Sequence, residues 1–471
     1  MTAPDTSAEQ PQPLDRFLRL FTEIHAGESQ TALLLALNVF LLLAAYYVIK
    51  PVREALILSA PHGAELKSYA AAGQAVLLLA LVPLYGALAD HLPRRKLLNV
   101  VTGFFVVCLI GFFAATHDDL PVGVIFFLWV GIFNLMIVAQ FWSFANDLYT
   151  KDQGERLFPI IGFGASLGAV LGSYFTGRLI PIIGVPQLLL VAAGILALAT
   201  LLSNIVDRRE RHKHEAGIPA RFTTEKMPAA TGEYQVAGPP GKEKLTLSMS
   251  GTSRKKGTFR LVFTNRYLLL FALMILVLNW VNTTGEYILG KTVATHAASM
   301  VSAGTAGGQS VADYVGEFYS NFFFVVNLVG LVFQLFFVSR LIKLIQVRWA
   351  VLVLPLIAVS GYAVLAIAPV LAIVRWVKTA ENATDYSLQN TVRNLLYLPT
   401  TREEKYKAKQ VIDSFFVRSG DVLSAVLVYF GTTQFGLGIK GFARINLVLA
   451  LVWVVLALMV GRGYAAKTRT T

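Results

Sequence analysis

About twelve apolar stretches of roughly twenty residues each follow one another along this chain, the first at 31–50 and the last at 442–461. A helix of that length crosses the roughly 30 Å hydrocarbon core of a bilayer. Inside lipid every backbone N–H and C=O must be satisfied within the protein, so runs of this length fold as helices. Composition agrees: 55% of the residues are hydrophobic and 15% charged, against about 25% charged in soluble domains. The expected fold class is an all-α polytopic membrane protein, with about twelve transmembrane helices in two six-helix bundles.

Six stretches precede a long polar segment and six follow it. The chain therefore divides into an N-terminal segment (1–30), a first bundle (31–206), a basic linker (207–265), a second bundle (266–463) and a short tail (464–471). The linker carries Arg208, Arg209, Arg211, Lys213, Arg254, Lys255 and Lys256 around Gly238-Pro239-Pro240-Gly241, and most of it has too little apolar surface to order itself. Its end, Arg260 to Arg266, has the pattern of a short amphipathic helix on the bilayer surface. The net charge of +13 is not a nucleic-acid signature, because the cations cluster in alternate loops. Arg94, Arg95 and Lys96 follow the second stretch, Arg340, Lys343 and Arg348 the eighth, and Lys405, Lys407 and Lys409 the tenth. By the positive-inside rule both termini and the linker face the cytoplasm, which places the chain as a multi-pass protein of the cytoplasmic membrane. Residues 1–30 lack the apolar core of a signal peptide, so the first stretch is expected to act as its own uncleaved insertion signal.

After the second stretch comes Gly86-Ala-Leu-Ala-Asp90-His-Leu-Pro93-Arg94-Arg95-Lys96. It resembles the G-x-x-x-D-x-x-G-R-R-K signature of the major facilitator superfamily, with Pro93 in place of the second glycine. The resemblance implies a major-facilitator-like fold and a gating loop. In that loop Asp90, Arg94 and Arg95 bridge helix ends that part and rejoin as the bundles rock.

The least apolar stretch is Arg375 to Arg393. At helical spacing Arg375, Lys378, Asn382, Asp385, Gln389 and Arg393 fall on one face. A charge near the bilayer centre costs about 2.5–3.5 kcal/mol on insertion scales, so this face is expected to line a polar cavity. The first stretch ends with Tyr46, Lys50, Arg53 and Glu54 around Pro51. There Arg53 reads as a site residue, while Lys50 is equally a snorkelling anchor. The seventh stretch ends with a stripe of Asn279, Asn282, Thr283 and Glu286, and the eighth carries Ser320, Asn327 and Gln334. Gly164, Gly168 and Gly172 recur every four residues in the fifth, a spacing that lets helices pack closely.

Several chemistries are excluded. A single cysteine, Cys108, rules out an intrachain disulfide, and the seven histidines lack metal-ligand spacing. Gly285-Glu-Tyr-Ile-Leu-Gly290-Lys291-Thr292 fits the letters of a Walker A loop, but an apolar helix rather than a strand precedes it and its interior is bulky. No nucleophile–base pair, metal cluster or phosphate loop stands in a workable context, so neither an enzyme nor a cofactor is expected.

Phe141-Trp142-Ser143-Phe144-Ala145-Asn146, followed by Arg156-Leu-Phe158-Pro159-Ile-Ile-Gly162-Phe-Gly164-Ala-Ser-Leu-Gly168, resembles the ATP/ADP translocases of plastids and intracellular bacteria. So do Tyr386-Ser387-Leu388 to Arg393, Tyr397-Leu398-Pro399, and Glu404-Lys405 through Ile412-Asp413. That family is distantly similar to the major facilitators and exchanges nucleotides. Its cation at the end of the first span falls on Arg53, the following acid on Glu54, and its lysine late in the tenth span on Arg393. Its acids in the fourth and seventh spans fall near Val130 and Asn282, with Glu286 one turn away. The cations that hold phosphate are thus retained as arginines, which grip phosphate bidentately.

The resulting expectation is a secondary transporter working by alternating access on a small anionic solute, a nucleotide or other phosphorylated metabolite. Arg53, Lys378 and Arg393 would hold its anionic oxygens, Tyr46 and Tyr386 would flank a ring or sugar, and Asn282, Asn382 and Gln389 would complete the lining. Glu54, Glu286 and Asp385 would balance the cations or carry a coupling proton. Two alternatives stay open: a proton-coupled transporter of another organic solute, and a non-transporting membrane module docking through its basic linker.

Overall fold

The structure, a computed structural model, describes residues 28–91, 94–118, 120–215 and 255–470. Its described residues form helices and no strand. In the first half these are α1 (Ser29–Leu58), α2 (Gly63–His91), α3 (Arg94–His117), α4 (Gly123–Leu148), α5 (Lys151–Ile183) and α6 (Leu188–Glu215). The short α7 (Lys255–Thr264) leads into the second half, which begins with α8 (Arg266–Ser302). Then come α9 (Val311–Val332), α10 (Val338–Ala350), α11 (Val353–Ile367), α12 (Leu371–Thr384), α13 (Asn390–Leu395), α14 (Arg402–Val411), α15 (Val417–Thr433) and α16 (Ile439–Thr470).

Three five-residue π-helical segments, Phe333–Phe337, Asp385–Gln389 and Ile412–Phe416, join α9 to α10, α12 to α13 and α14 to α15 without a break in the rod. The second half therefore also comprises six spans, three of them continued through a π turn. Among the described residues, eight helices are long and apolar enough to cross a membrane unaided. The other four spans are α2, the short α11 and the two π-jointed rods 371–395 and 402–433, the last two carrying charges along their length. The twelve spans and the all-α polytopic class expected from the sequence are thus present.

Each half is tied together in the same way. In the first, Asn38 on α1 donates its amide to the Ala199 carbonyl (2.7 Å) and to Ser203 Oγ (2.8 Å) on α6. In the second, Asn446 on α16 donates to the Val281 carbonyl on α8 (2.9 Å). The outermost spans of both halves are therefore pinned by one amide, the interhelical bond expected inside lipid. The glycines of α5 serve packing, as their spacing predicts. A Cβ at Gly164 would stand 2.5 Å from the Ala36 carbonyl oxygen, and Cβ atoms at Gly168 and Gly172 would meet the backbone of Phe40 and Ala44 on α1.

The halves meet along α1 and α5 against α9, and along α2 against α8 and α15. At the end of the molecule where α1 stops at Leu58, Asp313 at the start of α9 accepts the Val185 N–H from the first half (3.0 Å). Near the same end Tyr69 on α2 packs edge-on against Tyr429 on α15, ring centroids 6.2 Å apart.

Two details differ from the sequence pattern. α6 runs on to Glu215, so the segment read as linker from 207 starts as helix. Residues 260–264 of the amphipathic stretch are the end of α7, which packs on protein: Val262 is buried and Phe259 meets Phe415 in the π segment before α15, centroids 5.4 Å apart. Asn265 caps α8 and also donates to Glu404 on α14 (2.9 Å), which fixes α7 beside that helix.

Candidate functional site

A cluster of charges lies where the two halves face each other. From the first half, α1 presents Arg53 and Glu54, which are paired, and the Arg53 guanidinium lies 4.6 Å from the centre of the Phe127 ring. Lys67 on α2 stands 2.7 Å from Glu54 Oε2 and 3.7 Å from Glu286 Oε2 on α8. Glu286 in turn accepts from Asn382 on α12 (3.1 Å) and lies 3.5 Å from Lys378 Nζ. Lys378, fully buried, donates to Asn282 Oδ1 and to Glu381 Oε2, both at 2.9 Å. Tyr362 on α11 gives its hydroxyl proton to the same Glu381 oxygen (3.0 Å). Three cations and three carboxylates thus form one chain of ion pairs that crosses from half to half.

Burial explains why the chain is continuous. Removing one partner of a buried pair strands the other charge, at a cost of about 3–5 kcal/mol, so each group is held by two neighbours. Gly285 makes room for it: a Cβ there would stand 3.0 Å from Lys378 Nζ and would collide with the Tyr362 hydroxyl. The Walker-like letters beginning at Gly285 lie within the unbroken helix α8, so they form no phosphate loop. Lys291 of that stretch pairs instead with Glu65 on α2 (2.8 Å), which also accepts the Tyr287 hydroxyl (3.0 Å).

A cavity of about 170 Å³ adjoins the cluster, lined on one side by Arg53 and Lys67 and on the other by Thr283, Glu286, Arg418 and Asp421. Asp421 is fixed by Asn279 (2.9 Å) and Thr283 (2.8 Å), with Arg418 at 3.4 Å. The void is smaller than the ~300 Å³ lower bound of ordinary ligand pockets, as befits halves drawn together at this level.

The structure gathers Arg53, Glu54, Asn282, Glu286, Lys378 and Asn382 into this one cluster. Tyr46 and Tyr386 stand nearby around Lys50, whose Nζ is 6.0 and 5.9 Å from their ring centres. Asp385 opens the π segment one turn beyond Glu381. Gln389 ends that segment, buried, and its amide has no hydrogen-bond partner among the described residues.

Arg393 belongs to a separate place. It is fifteen residues beyond Lys378 on a continuous rod, about 22 Å along the axis at ~1.5 Å per residue. There it pairs with Asp413 (2.5 Å), which also accepts the Tyr397 hydroxyl (3.2 Å). Arg375 lies toward the opposite end, over the rings of Phe318 and Trp376. The single face expected for 375–393 is therefore divided. The π turn at Asp385–Gln389 is wider than an α turn and rotates everything after it around the axis. The side chains of Asp90, Arg94 and Arg95 lie outside the described residues.

Lys67 and Glu381 complete the site without standing out in the sequence, and Lys50, which reads equally as a snorkelling anchor, joins them. Glu381 is three residues from Lys378, the spacing of a helical ion pair, and that spacing was the available signal. Lys67, near the start of a span, reads as an interface anchor until Glu54 and Glu286 are seen opposite it.

Two helical halves that share a charged cavity inside a membrane-spanning fold have the form of a transporter. The chain belongs to the Major Facilitator Superfamily, whose family model matches residues 35–399. It is similar to ADP,ATP carrier protein 1 of Rickettsia bellii (strain RML369-C), with 22% identity over 92% of both chains. Among solved structures it resembles a bacterial homologue of the iron transporter ferroportin in an inward-facing state (TM-score 0.61, 12% identity, 92% of this chain and 98% of that one). It also resembles the nucleoside transporter NupG (TM-score 0.57, 14% identity, 93% and 99%). The chain is a transporter and not an enzyme, which sets aside the alternative of a membrane module without transport.

Proposed function

We propose that the protein is a secondary transporter that carries an anionic solute, a nucleotide or another phosphorylated metabolite, by alternating access across the cytoplasmic membrane. The observation that carries this reading is the ion-pair chain joining Arg53, Glu54 and Lys67 of the first half to Glu286, Lys378 and Glu381 of the second. Charges buried in a membrane are costly, and groups of this kind mark substrate and ion pathways. An anion entering the cavity would compete with Glu54 and Glu286 for Arg53, Lys67 and Lys378, and the contacts between halves would loosen as it did so. Binding and gating are then one event.

The positive-inside rule puts the Leu58 end of α1 outside the cell. The Glu65–Lys291 pair and the Asp313 cap then form an outer gate, and solute enters from the cytoplasmic side. Asp90, Arg94 and Arg95 act at the opposite mouth as the gating loop. Similarity to an ADP,ATP carrier favours a nucleotide as the solute. Arg393, paired with Asp413 on the cytoplasmic side, would meet that anion before the central cluster does.

The test is uptake by purified protein in liposomes, loaded and unloaded with ATP, ADP, AMP, phosphate esters and organic acids. Exchange of a phosphorylated solute that Arg53→Ala abolishes is the expected result. Uptake indifferent to that substitution removes the cluster from the reading. A second reading, proton-coupled transport of another organic solute, is favoured by one atom: Glu381 Oε1 is buried and meets no partner among the described residues, which leaves one open position on an acid inside the ion-pair chain. Uptake driven by a pH gradient and insensitive to nucleotides would select it.

A further inference from the structure

Every cation of the central cluster is matched by an acid: Arg53 by Glu54, Lys67 by Glu54 and Glu286, Lys378 by Glu286 and Glu381. The same holds at its margins, where Lys291 has Glu65 and Arg418 has Asp421. Lys50 on α1 is different. It is 9% exposed, and its Nζ has no ion pair or hydrogen bond among the described residues. What surrounds it is aromatic. The ammonium stands 4.1 Å from the centre of the Phe323 ring, 5.2 Å from Tyr47, 5.9 Å from Tyr386 and 6.0 Å from Tyr46. Two of these rings belong to the first half and two to the second, on α9 and on the π segment Asp385–Gln389.

Ring faces attract a cation through their quadrupole but do not cancel its charge. The three cations and three carboxylates beside it sum to zero and Asp385 adds one further acid at the start of the π segment, yet none of these acids pairs with Lys50, so its charge is held by ring faces rather than by a carboxylate. An anion need not break an ion pair to reach it; it only has to draw the ammonium away from neutral rings. Once the ammonium leaves, four ring faces are open to a flat, apolar body. Aromatic faces prefer such partners in offset or edge-to-face contact.

We propose that Lys50 is the first residue of the central site to take the substrate's charge, ahead of the paired Arg53, Lys67 and Lys378, and that Tyr46, Tyr47, Phe323 and Tyr386 take the planar part of the same molecule. The site therefore selects a ring-bearing anion, with Lys50 holding the place of the missing ring while the site is empty. This rests on the reading of the protein as an anion transporter and narrows it. Because the rings come from both halves, the same molecule bridges them, and only a substrate with both parts replaces all the contacts Lys50 gives up. A bare inorganic anion pulls the lysine out without refilling the rings. A neutral ring meets a cage already occupied.

The test is equilibrium binding of four probes to the purified full-length protein in lipid nanodiscs: AMP, phenyl phosphate, inorganic phosphate and adenosine. The wild type is expected to bind AMP and phenyl phosphate more tightly than phosphate or adenosine. Lys50→Met should weaken both ring-bearing anions at least tenfold, and Lys50→Arg should restore most of the loss. Tyr386→Leu should weaken AMP and phenyl phosphate while leaving phosphate within about threefold. That split would not follow from a merely structural role. Should Lys50→Met fail to fold, Lys50→Gln and Tyr386→Leu carry the same comparison. Ring-bearing anions that bind Lys50→Met or Lys50→Gln as tightly as the wild type overturn the proposal and leave anion transport standing. Absence of binding by any of the anions overturns both.

Discussion

Glu65 and Lys291 meet at 2.8 Å across the boundary between the two halves, near the end of the molecule where α1 stops. Tyr287, one turn from Lys291, gives its hydroxyl to the same carboxylate. The pair is partly open to solvent, where ion pairs contribute about 0.2–1 kcal/mol. That is a useful strength for a gate, since a contact that must open every cycle cannot be deep. Lys291→Glu is expected to slow transport several-fold by repulsion, and adding Glu65→Lys should recover most of the rate. Initial rates in proteoliposomes check this. A double variant no faster than the single one would show that the pair does not hold the halves together.

Lys378 presents the opposite case. It is fully buried among Asn282, Glu286 and Glu381. Lys378→Ala leaves Glu381 without a cation and Glu286 with Lys67 alone, and should cost about 3–5 kcal/mol. Pairing it with Glu381→Ala should return part of that loss. Thermal unfolding of the single and double variants measures both. A single variant as stable as the wild type would mean that the cluster is wet and screened.

The seam between α5 and α1 leads to a packing prediction. At Gly168 an added side chain would meet the Phe40 carbonyl, which cannot move without breaking α1. Gly168→Val should destabilise by about 1–3 kcal/mol, the usual range for overpacking. Gly194, where an added Cβ meets nothing, should accept alanine with little change. Melting temperatures of the two variants side by side make the comparison.

At the start of α14, Thr401 and Glu404 exchange the two bonds of a capping box, and Asn265 donates to the same glutamate. Partial burial works against the charged form of Glu404. The Thr401 backbone N–H, the Asn265 amide and the Thr401 hydroxyl outweigh it and hold the carboxyl below its usual range. A depressed value adds stability above the unfolded-state pKa of about 4.3, and that stability is lost as the pH falls through the folded value. Glu404→Gln should therefore melt below the wild type at pH 7, with the gap closing only as the pH falls below about 4. A gap that widens with acid would contradict the sign.

Much of this was legible in the sequence, for reasons that can be named. The spans announce themselves because lipid demands long apolar runs, and Glu286 and Lys378 stand out because charges are so rarely placed there. The face running from Arg375 to Arg393 did not survive intact. Reading it assumes 3.6 residues per turn throughout, and nothing in Asp385-Tyr386-Ser387-Leu388-Gln389 signals the wider π turn that redirects Arg393 toward Asp413. The surroundings of Lys50 were equally hidden. Tyr46 and Tyr47 adjoin it in the chain, but Phe323 and Tyr386 arrive from distant spans, and no spacing rule connects them. Glu54 was noticed for its neighbour Arg53, while its second partner, Lys67, comes from another helix.

The glycine ladder of α5 has a mechanical corollary. Where two helices touch through backbone alone, no long side chains remain to swap rotamers, so one rod cannot slide past the other. In the proposed alternating access α1 and α5 would then swing as a single lever. Lys50, Arg53 and Glu54 sit on one arm of that lever, and the surface of α5 that bears on α9 is the other. Whatever draws those three side chains toward the second half therefore also tilts the hinge line between the halves.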